Sequence, residues 1–183
     1  MHYEDLLREA AEENVEVVYF PLKSRLKGLY YDQVIAIRCG LSSTAEKACI
    51  LAEELGHYHT TSGNILDQSR LQNRKQERRA RAWSYQKLVP LEKLVQAYKI
   101  GISTRYELAD FLEITEQFLT AALMTYKEKY GPCCRVGDYW IYFEPLGIFD
   151  IRQQKLEPAF NMAGFVLKCG FDINIHNTTK GKL

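Results

Sequence analysis

Glu53-Glu54-Leu55-Gly56-His57 is the stretch that decides how this 183-residue chain folds and what chemistry it can carry. A helix advances about 3.6 residues per turn, so side chains four positions apart share a face and can reach one ion. The spacing is that of H-E-x-x-H, in which two histidines bind zinc and the intervening glutamate is the general base. Zinc also accepts a carboxylate oxygen. We therefore predict Glu53 and His57 as metal ligands and Glu54 as the base.

A further ligand is required, because a catalytic zinc site uses about three protein ligands and keeps one position open. Glu77 is the best candidate, since Glu77, Ala80 and Trp83 recur at intervals of three and share one face of a second helix. Ala80 is small enough for two helices to approach closely, and Trp83 can anchor the contact. We expect Glu77 to face Glu53 and His57 across the gap between the helices.

Two other residues are candidates for an additional ligand. His59 would point to the far side of a continuing helix, but it could turn back toward the ion if the helix ends at Tyr58. Asp67 lies in the polar stretch 60–73 between the two helices, and it could bind the ion or orient His57. The ordinary alternatives are a partly exposed histidine at a helix end and a solvated loop acid.

Local patterns place these residues among helices and strands. Ser43 followed by Glu46 is a capping box that begins the helix of the Glu53 motif. Residues 15–20 and 33–38 are predicted strands, separated by a loop that carries Gly28. An exposed strand edge can hold a peptide in extended form, so we expect a target loop to be presented to the metal in this way.

The second half of the chain predicts short helices and then strands. Thr104 and Thr115 are helix caps, and the two helices that they begin resemble a helix-turn-helix. The second of these helices has no arginine or lysine before Lys127, whereas a recognition helix normally places polar or basic side chains near its start. We therefore predict a packing or docking module that does not read DNA. Residues 135–151 have the aromatic-rich pattern of a β-hairpin.

Charge and composition are those of an ordinary cytoplasmic domain. The net charge is +1 and the pI is about 7.6, so no overall field draws the chain to nucleic acid or membrane. No apolar run is long enough for a membrane span and no apolar N-terminal segment suggests a signal peptide. The five cysteines form an irregular set that fits reduced thiols better than a disulfide framework.

A basic run stands out against this neutral background. Six of the twelve residues from 70 to 81 are arginine or lysine. The favoured reading is a solvated outer face of the second metal helix, because the charges wrap around the helix. Contact with nucleic acid and attraction of an acidic substrate segment are the alternatives.

These motifs resemble the ImmA/IrrE family of metallo-endopeptidases. The resemblance lies in residues 51–58, in Glu77-x-x-Ala80-x-x-Trp83 closing at 88–90, and in residues 27–31. It extends more weakly to about Tyr130 and through 139–147. It implies an α+β fold with a mainly helical, zincin-like metallopeptidase core and a small β-sheet, followed by a helix-turn-helix-like helical module and a β-hairpin. We divide the chain at 1–92 for the core, 93–132 for the helical module, 133–151 for the hairpin and 152–183 for an extension without an assigned role.

The resemblance implies a zinc-dependent endopeptidase that cleaves a helix-turn-helix repressor of a prophage or mobile element and so derepresses that element. Carried over by position, Glu54 is the general base, His57 and Glu77 are metal ligands, and Glu53 takes the place of the first histidine. This departure favours weaker turnover, or an ion such as Mn²⁺ that prefers oxygen ligands. The alternatives are a repressor-binding antirepressor without peptidase activity, and a nucleic-acid-binding regulator. The oligomeric state stays open.

Overall fold

The structure is a computed structural model, and it describes residues 2–23, 26–41, 43–60 and 71–153. Asp67 and all but the first two residues of the predicted 152–183 extension lie outside these ranges. The described chain has a mixed α+β fold with a mainly helical core. Its helices are α1 (Tyr3–Glu12), α2 (Thr44–Thr60), α3 (Leu71–Leu88), α4 (Leu91–Lys99), α5 (Arg105–Leu112) and α6 (Glu116–Tyr130). Its strands are β1 (Glu16–Phe20), β2 (Gly28–Tyr31), β3 (Val34–Arg38), β4 (Cys133–Val136), β5 (Tyr139–Phe143) and β6 (Leu146–Asp150).

The first sheet has the strand order β1-β3-β2, with β1 parallel and β2 antiparallel to β3. The predicted loop around Gly28 is in fact strand β2, which corrects the sequence prediction at this point. The reason is a two-residue turn at Asp32 and Gln33. Their positive φ values of 45° and 66° are typical of the tight turns that connect the two strands of a β-hairpin. This turn places Tyr31 opposite Val34 and brings β2 alongside β3 as an edge strand.

Helix α2 begins where the capping residues predict. The Ser43 hydroxyl accepts a hydrogen bond from the Glu46 amide at 3.3 Å, and the helix continues to Thr60. Leu51, Ala52 and Leu55 on its inner face are fully buried, so hydrophobic burial holds α2 at the centre of the fold.

The helices after α3 are capped and tied to it. Thr104 accepts a hydrogen bond from the Glu107 amide and Thr115 from the Phe118 amide, each at 3.2 Å, which confirms both predicted caps. The buried Tyr126 hydroxyl donates to the carbonyl oxygens of Tyr85 and Val89 at 3.0 and 2.7 Å. These bonds join α6 to the carboxyl end of α3.

The second sheet is antiparallel in the order β4-β5-β6. It has one strand more than the predicted β-hairpin, because the chain turns again at Pro145 and pairs Leu146 with Phe143. Ile141 and Phe143 of the central strand are buried and join the same core as Leu6 of α1. None of the described helices is both long enough and apolar enough to cross a membrane.

Candidate metal centre

Helices α2 and α3 cross at Gly56 and Ala80. A Cβ atom added to Gly56 would overlap the carbonyl oxygen of Ala80, so the two backbones are in direct contact at this point. Ala80 itself is fully buried. The crossing lies one residue before His57 in α2 and three residues after Glu77 in α3. It therefore brings the predicted ligands of the two helices together.

His57 and Glu77 meet across this crossing. The Nε2 atom of His57 lies 3.2 Å from Oε2 of Glu77, and both side chains are largely shielded from solvent. Burial alone would lower the pKa of His57, but the hydrogen bond with Glu77 and the charges of Glu54 and Glu53 outweigh burial and raise it. The same hydrogen bond lowers the pKa of Glu77. In the metal-free chain the two groups form an ion pair whenever His57 is protonated.

Arg81, one turn after Glu77 in α3, also binds Glu77. Its Nε atom donates to Oε1 of Glu77 at 2.7 Å, while its side chain remains 53% exposed. The charge of Arg81 also lowers the pKa of Glu77, although burial opposes this effect. Glu77 thus uses one carboxylate oxygen for His57 and the other for Arg81, which fixes the orientation of its carboxylate plane.

Glu53 lies one turn before His57 on α2 and within the electrostatic reach of this pair. Burial raises the pKa of Glu53, the charge of Glu77 raises it further, and the charges of Arg81 and His57 lower it. The side chain is partly buried. The structure thus brings His57 and Glu77 into contact, but among the described residues the ligand atoms of Glu53, His57 and Glu77 do not all lie within 4.8 Å of one another. Their imidazole and carboxylate donors are of the types that zinc and manganese accept.

Glu54 is the acid that the fold desolvates most clearly. Burial raises its pKa to about 7, although the charge of His57 and a backbone hydrogen bond from Tyr30 both act to lower it. Gly28 explains how Glu54 fits against β2, since a Cβ atom on Gly28 would lie 2.5 Å from Oε1 of Glu54 and 2.6 Å from Cγ2 of Ile50. A pKa near neutrality suits a general base.

His59 belongs to a different group of side chains. Because α2 continues to Thr60, His59 points toward α1, where its Nε2 lies 3.9 Å from Oε1 of Glu9 and 3.7 Å from Oε2 of Glu13. Among the described residues, Glu9, Glu13 and His59 offer ligand atoms that all lie within 4.8 Å of one another and are compatible with a metal ion. Lys87 binds Glu9 at 2.7 Å and so supplies a positive charge there already.

Sequence patterns missed three residues that surround the predicted centre. Arg81 binds Glu77, Gly28 packs against Glu54, and the backbone of Tyr30 forms a hydrogen bond with Glu54. Arg81 carries a signal in the sequence, because it stands four residues after Glu77 and an acid and a base at that spacing pair on a helix. Nothing local marks Gly28 and Tyr30 as neighbours of Glu54.

The family model of the IrrE N-terminal-like domain, Peptidase_M78, matches residues 10–124. The chain belongs to this ImmA/IrrE family. The match covers α2, α3 and therefore the whole centre described above, and it indicates a protein of the zinc-metallopeptidase type. No curated protein and no solved structure matches the chain significantly.

The donor types of Glu53, His57 and Glu77 in this ImmA/IrrE protein are ones that a divalent cation accepts. The imidazole of His57 and the carboxylate of Glu77 already face each other, with His57 Nε2 3.2 Å from Glu77 Oε2. One imidazole and two carboxylates would balance a charge of +2, whereas two imidazoles and one carboxylate would leave an excess of +1. The residues that are present therefore suit an ion of the zinc or manganese type.

Proposed function

We propose that this protein is a zinc-dependent endopeptidase that cleaves a helix-turn-helix repressor of a prophage or mobile element in the cytoplasm and thereby derepresses that element. The observation that carries the proposal is the contact of His57 with Glu77, together with a partly buried Glu54 on the same helix whose pKa is raised to about 7. The family match to residues 10–124 supports the peptidase class.

Each residue of the centre has a role in this proposal. Glu53, His57 and Glu77 would hold the ion, and a bound divalent ion would polarise the scissile carbonyl and make water more acidic. Glu54 accepts a proton from the attacking water and passes it to the leaving amine. Arg81 holds the carboxylate of Glu77 in place through the 2.7 Å bond. Desolvation keeps Glu54 a strong enough base near neutral pH.

We propose that the substrate binds along the outer edge of β2, the edge that is not paired with β3. In the hairpin, Tyr31 pairs with Val34 across a two-residue turn, so the backbone groups of Tyr31 point toward β3 and those of Tyr30 point away from it. The backbone hydrogen bond from Tyr30 to Glu54 agrees with this direction. An extended peptide added to this edge would run past Glu54.

A binding antirepressor without peptidase activity is the second candidate, and Glu53 is the observation that favours it. A neutral ligand set leaves the centre less positive than the histidine-rich sets of many zinc peptidases, so it makes water less acidic. In this case the protein would bind the repressor without cutting it.

The deciding experiment mixes the purified protein, loaded with Zn²⁺ or Mn²⁺, with helix-turn-helix repressors encoded beside its gene. We expect one repressor to be cut into two fragments, and Glu54→Gln to slow this cleavage by about 10²- to 10⁴-fold while repressor binding persists. Release of the repressor from its operator without fragments, equally by both proteins, would establish the antirepressor instead.

A further inference from the structure

One face of α3 carries four exposed cations without an acidic partner among the described residues: Arg74, Lys75, Arg78 and Arg79. We call these four residues the cationic face. The other cations around the centre are engaged, since Arg81 binds Glu77 and Lys87 binds Glu9.

Although the six charges of residues 70–81 together wrap around the helix, these four exposed side chains lie within one side of it. Arg74 and Arg78 are four residues apart, as are Lys75 and Arg79, so they form two adjacent rows within an arc of about 140° and about 8 Å of helix length. Ala80 points the opposite way into the crossing with α2 and is fully buried. The whole chain has a net charge of only +1, so the cationic face is a local concentration of charge.

The cationic face also borders the candidate metal centre. Arg81 follows Arg78 after three residues and lies in the same row, and its guanidinium binds the carboxylate of Glu77. Glu77 in turn contacts His57. A chain bound along Arg74 and Arg78 would therefore lead directly to the proposed ligands.

We propose that the cationic face docks an acidic segment of the protein substrate beside the scissile bond. This inference rests on the proposed peptidase function and adds the chemistry by which its substrate is chosen. Clustered arginine and lysine side chains attract aspartate and glutamate carboxylates, and arginine binds them with two parallel hydrogen bonds. The acidic segment raises the local concentration of substrate and sets its direction across the centre.

A peptide fits this face better than a nucleic acid does. Helix α6, which is tied to α3 through Tyr126, begins with Glu116 and has no arginine or lysine before Lys127. A duplex needs phosphate contacts spread over a much longer surface than about 8 Å. A short run of acidic side chains matches the length of the cationic face.

A binding experiment tests the docking surface without cleavage. Glu54→Gln protein is titrated with a labelled peptide of ten glutamates, with a peptide of ten glutamines, and with a 20-base-pair DNA duplex, at two salt concentrations. The test variant carries Arg74→Gln, Lys75→Gln, Arg78→Gln and Arg79→Gln. The matched control carries Lys93→Gln, Lys99→Gln, Arg105→Gln and Lys129→Gln, which changes the net charge equally on other helices. Thermal unfolding shows that both variants fold.

We expect the glutamate peptide to bind, the test variant to weaken this binding by about tenfold or more, and the control variant to leave it within about twofold. The glutamine peptide should not bind. Equal weakening in both variants, or no weakening in the test variant, would overturn the proposal. Tighter binding of the duplex than of the peptide, lost in the test variant alone, would assign the face to nucleic acid.

A second measurement links the face to cleavage. The active metal-loaded protein digests a peptide library prepared from a whole proteome, and the cut positions are read by mass spectrometry. We expect aspartate and glutamate to be enriched on one side of the cut bonds, and the test variant to lose this enrichment while still cutting peptides without acids. An unchanged profile would contradict the proposal. If nothing is cut, the peptidase function fails, and the binding experiment decides the docking surface by itself.

Discussion

Gly56 of α2 lies directly against the backbone carbonyl of Ala80 in α3, with no room for a methyl group between them. The distance between His57 and Glu77 depends on this contact, because each residue is within one turn of the crossing. The geometry of the centre is therefore set by a glycine that has no chemistry of its own.

Gly56→Ala tests this dependence. Alanine stabilises an isolated helix by about 1 kcal/mol relative to glycine, but here its methyl group would push α3 away, and overpacking costs about 1–3 kcal/mol. We expect lower thermal stability and weaker metal binding together, measured by unfolding and by titration with Zn²⁺. A more stable protein with unchanged metal affinity would mean that the crossing tolerates a side chain.

Gly28→Ala should reduce cleavage while the metal stays bound. A Cβ atom at this position would lie 2.5 Å from Oε1 of Glu54, so Glu54 must move, whereas the proposed ligands are not touched. The matched control is Gly147→Ala, whose Cβ would meet only the exposed ring of Phe149 at 3.3 Å. The cleavage rate and the metal content are measured for both variants. Equal cleavage rates would show that packing against β2 does not position Glu54.

Glu54 should make the metal-free protein sensitive to pH. Its folded pKa of about 7 lies above the ordinary value of 4.5, so its contribution to stability is complete below pH 4.5 and is lost as the pH rises through 7. Glutamine mimics the protonated acid at every pH. We expect Glu54→Gln to gain stability over the unsubstituted chain between pH 4.5 and pH 8, by up to roughly 3 kcal/mol. Urea unfolding at both pH values measures this gain. If the difference in unfolding free energy between the two proteins is the same at both pH values, Glu54 does not titrate with a raised pKa.

The ion pair of His57 predicts a second titration. The hydrogen bond with Glu77 raises the pKa of His57 in spite of burial, so the ion pair stabilises the metal-free fold at low pH and is lost as the pH rises through this raised pKa. NMR titration of the imidazole should give a pKa above 6.5 in the unsubstituted chain and a lower pKa in Glu77→Gln. An unchanged pKa in this variant would show that Glu77 is not the partner.

The sequence predicts the part of the centre that depends on helical periodicity. Spacing alone puts Glu53 and His57 on one face of α2 and Glu77 with Ala80 on one face of α3, and the structure brings His57 and Glu77 into contact. The small side chains at the crossing leave the helices one close way to pack. These relationships need no knowledge of the remaining chain.

Contacts that depend on tertiary structure could not be predicted in the same way. The pairing of β2 requires the tight turn at Asp32 and Gln33, and only this pairing brings Gly28 against Glu54. The position of His59 depends on α1, which supplies Glu9 and Glu13 from about fifty residues earlier. No periodic pattern links such distant positions, so the sequence names His59 as a possible ligand but not Glu9 and Glu13 as its partners.

Metal analysis of single variants tests the central claim most directly. The protein is purified, loaded with Zn²⁺, dialysed, and its bound metal measured beside Glu53→Ala, His57→Ala, Glu77→Ala and, as the matched control from the α1 group, Glu13→Ala. We predict one ion per chain in the unsubstituted protein and in Glu13→Ala, and loss of this ion in the other three variants. Retention of the ion in those three together with its loss in Glu13→Ala would contradict the account and place the metal beside His59.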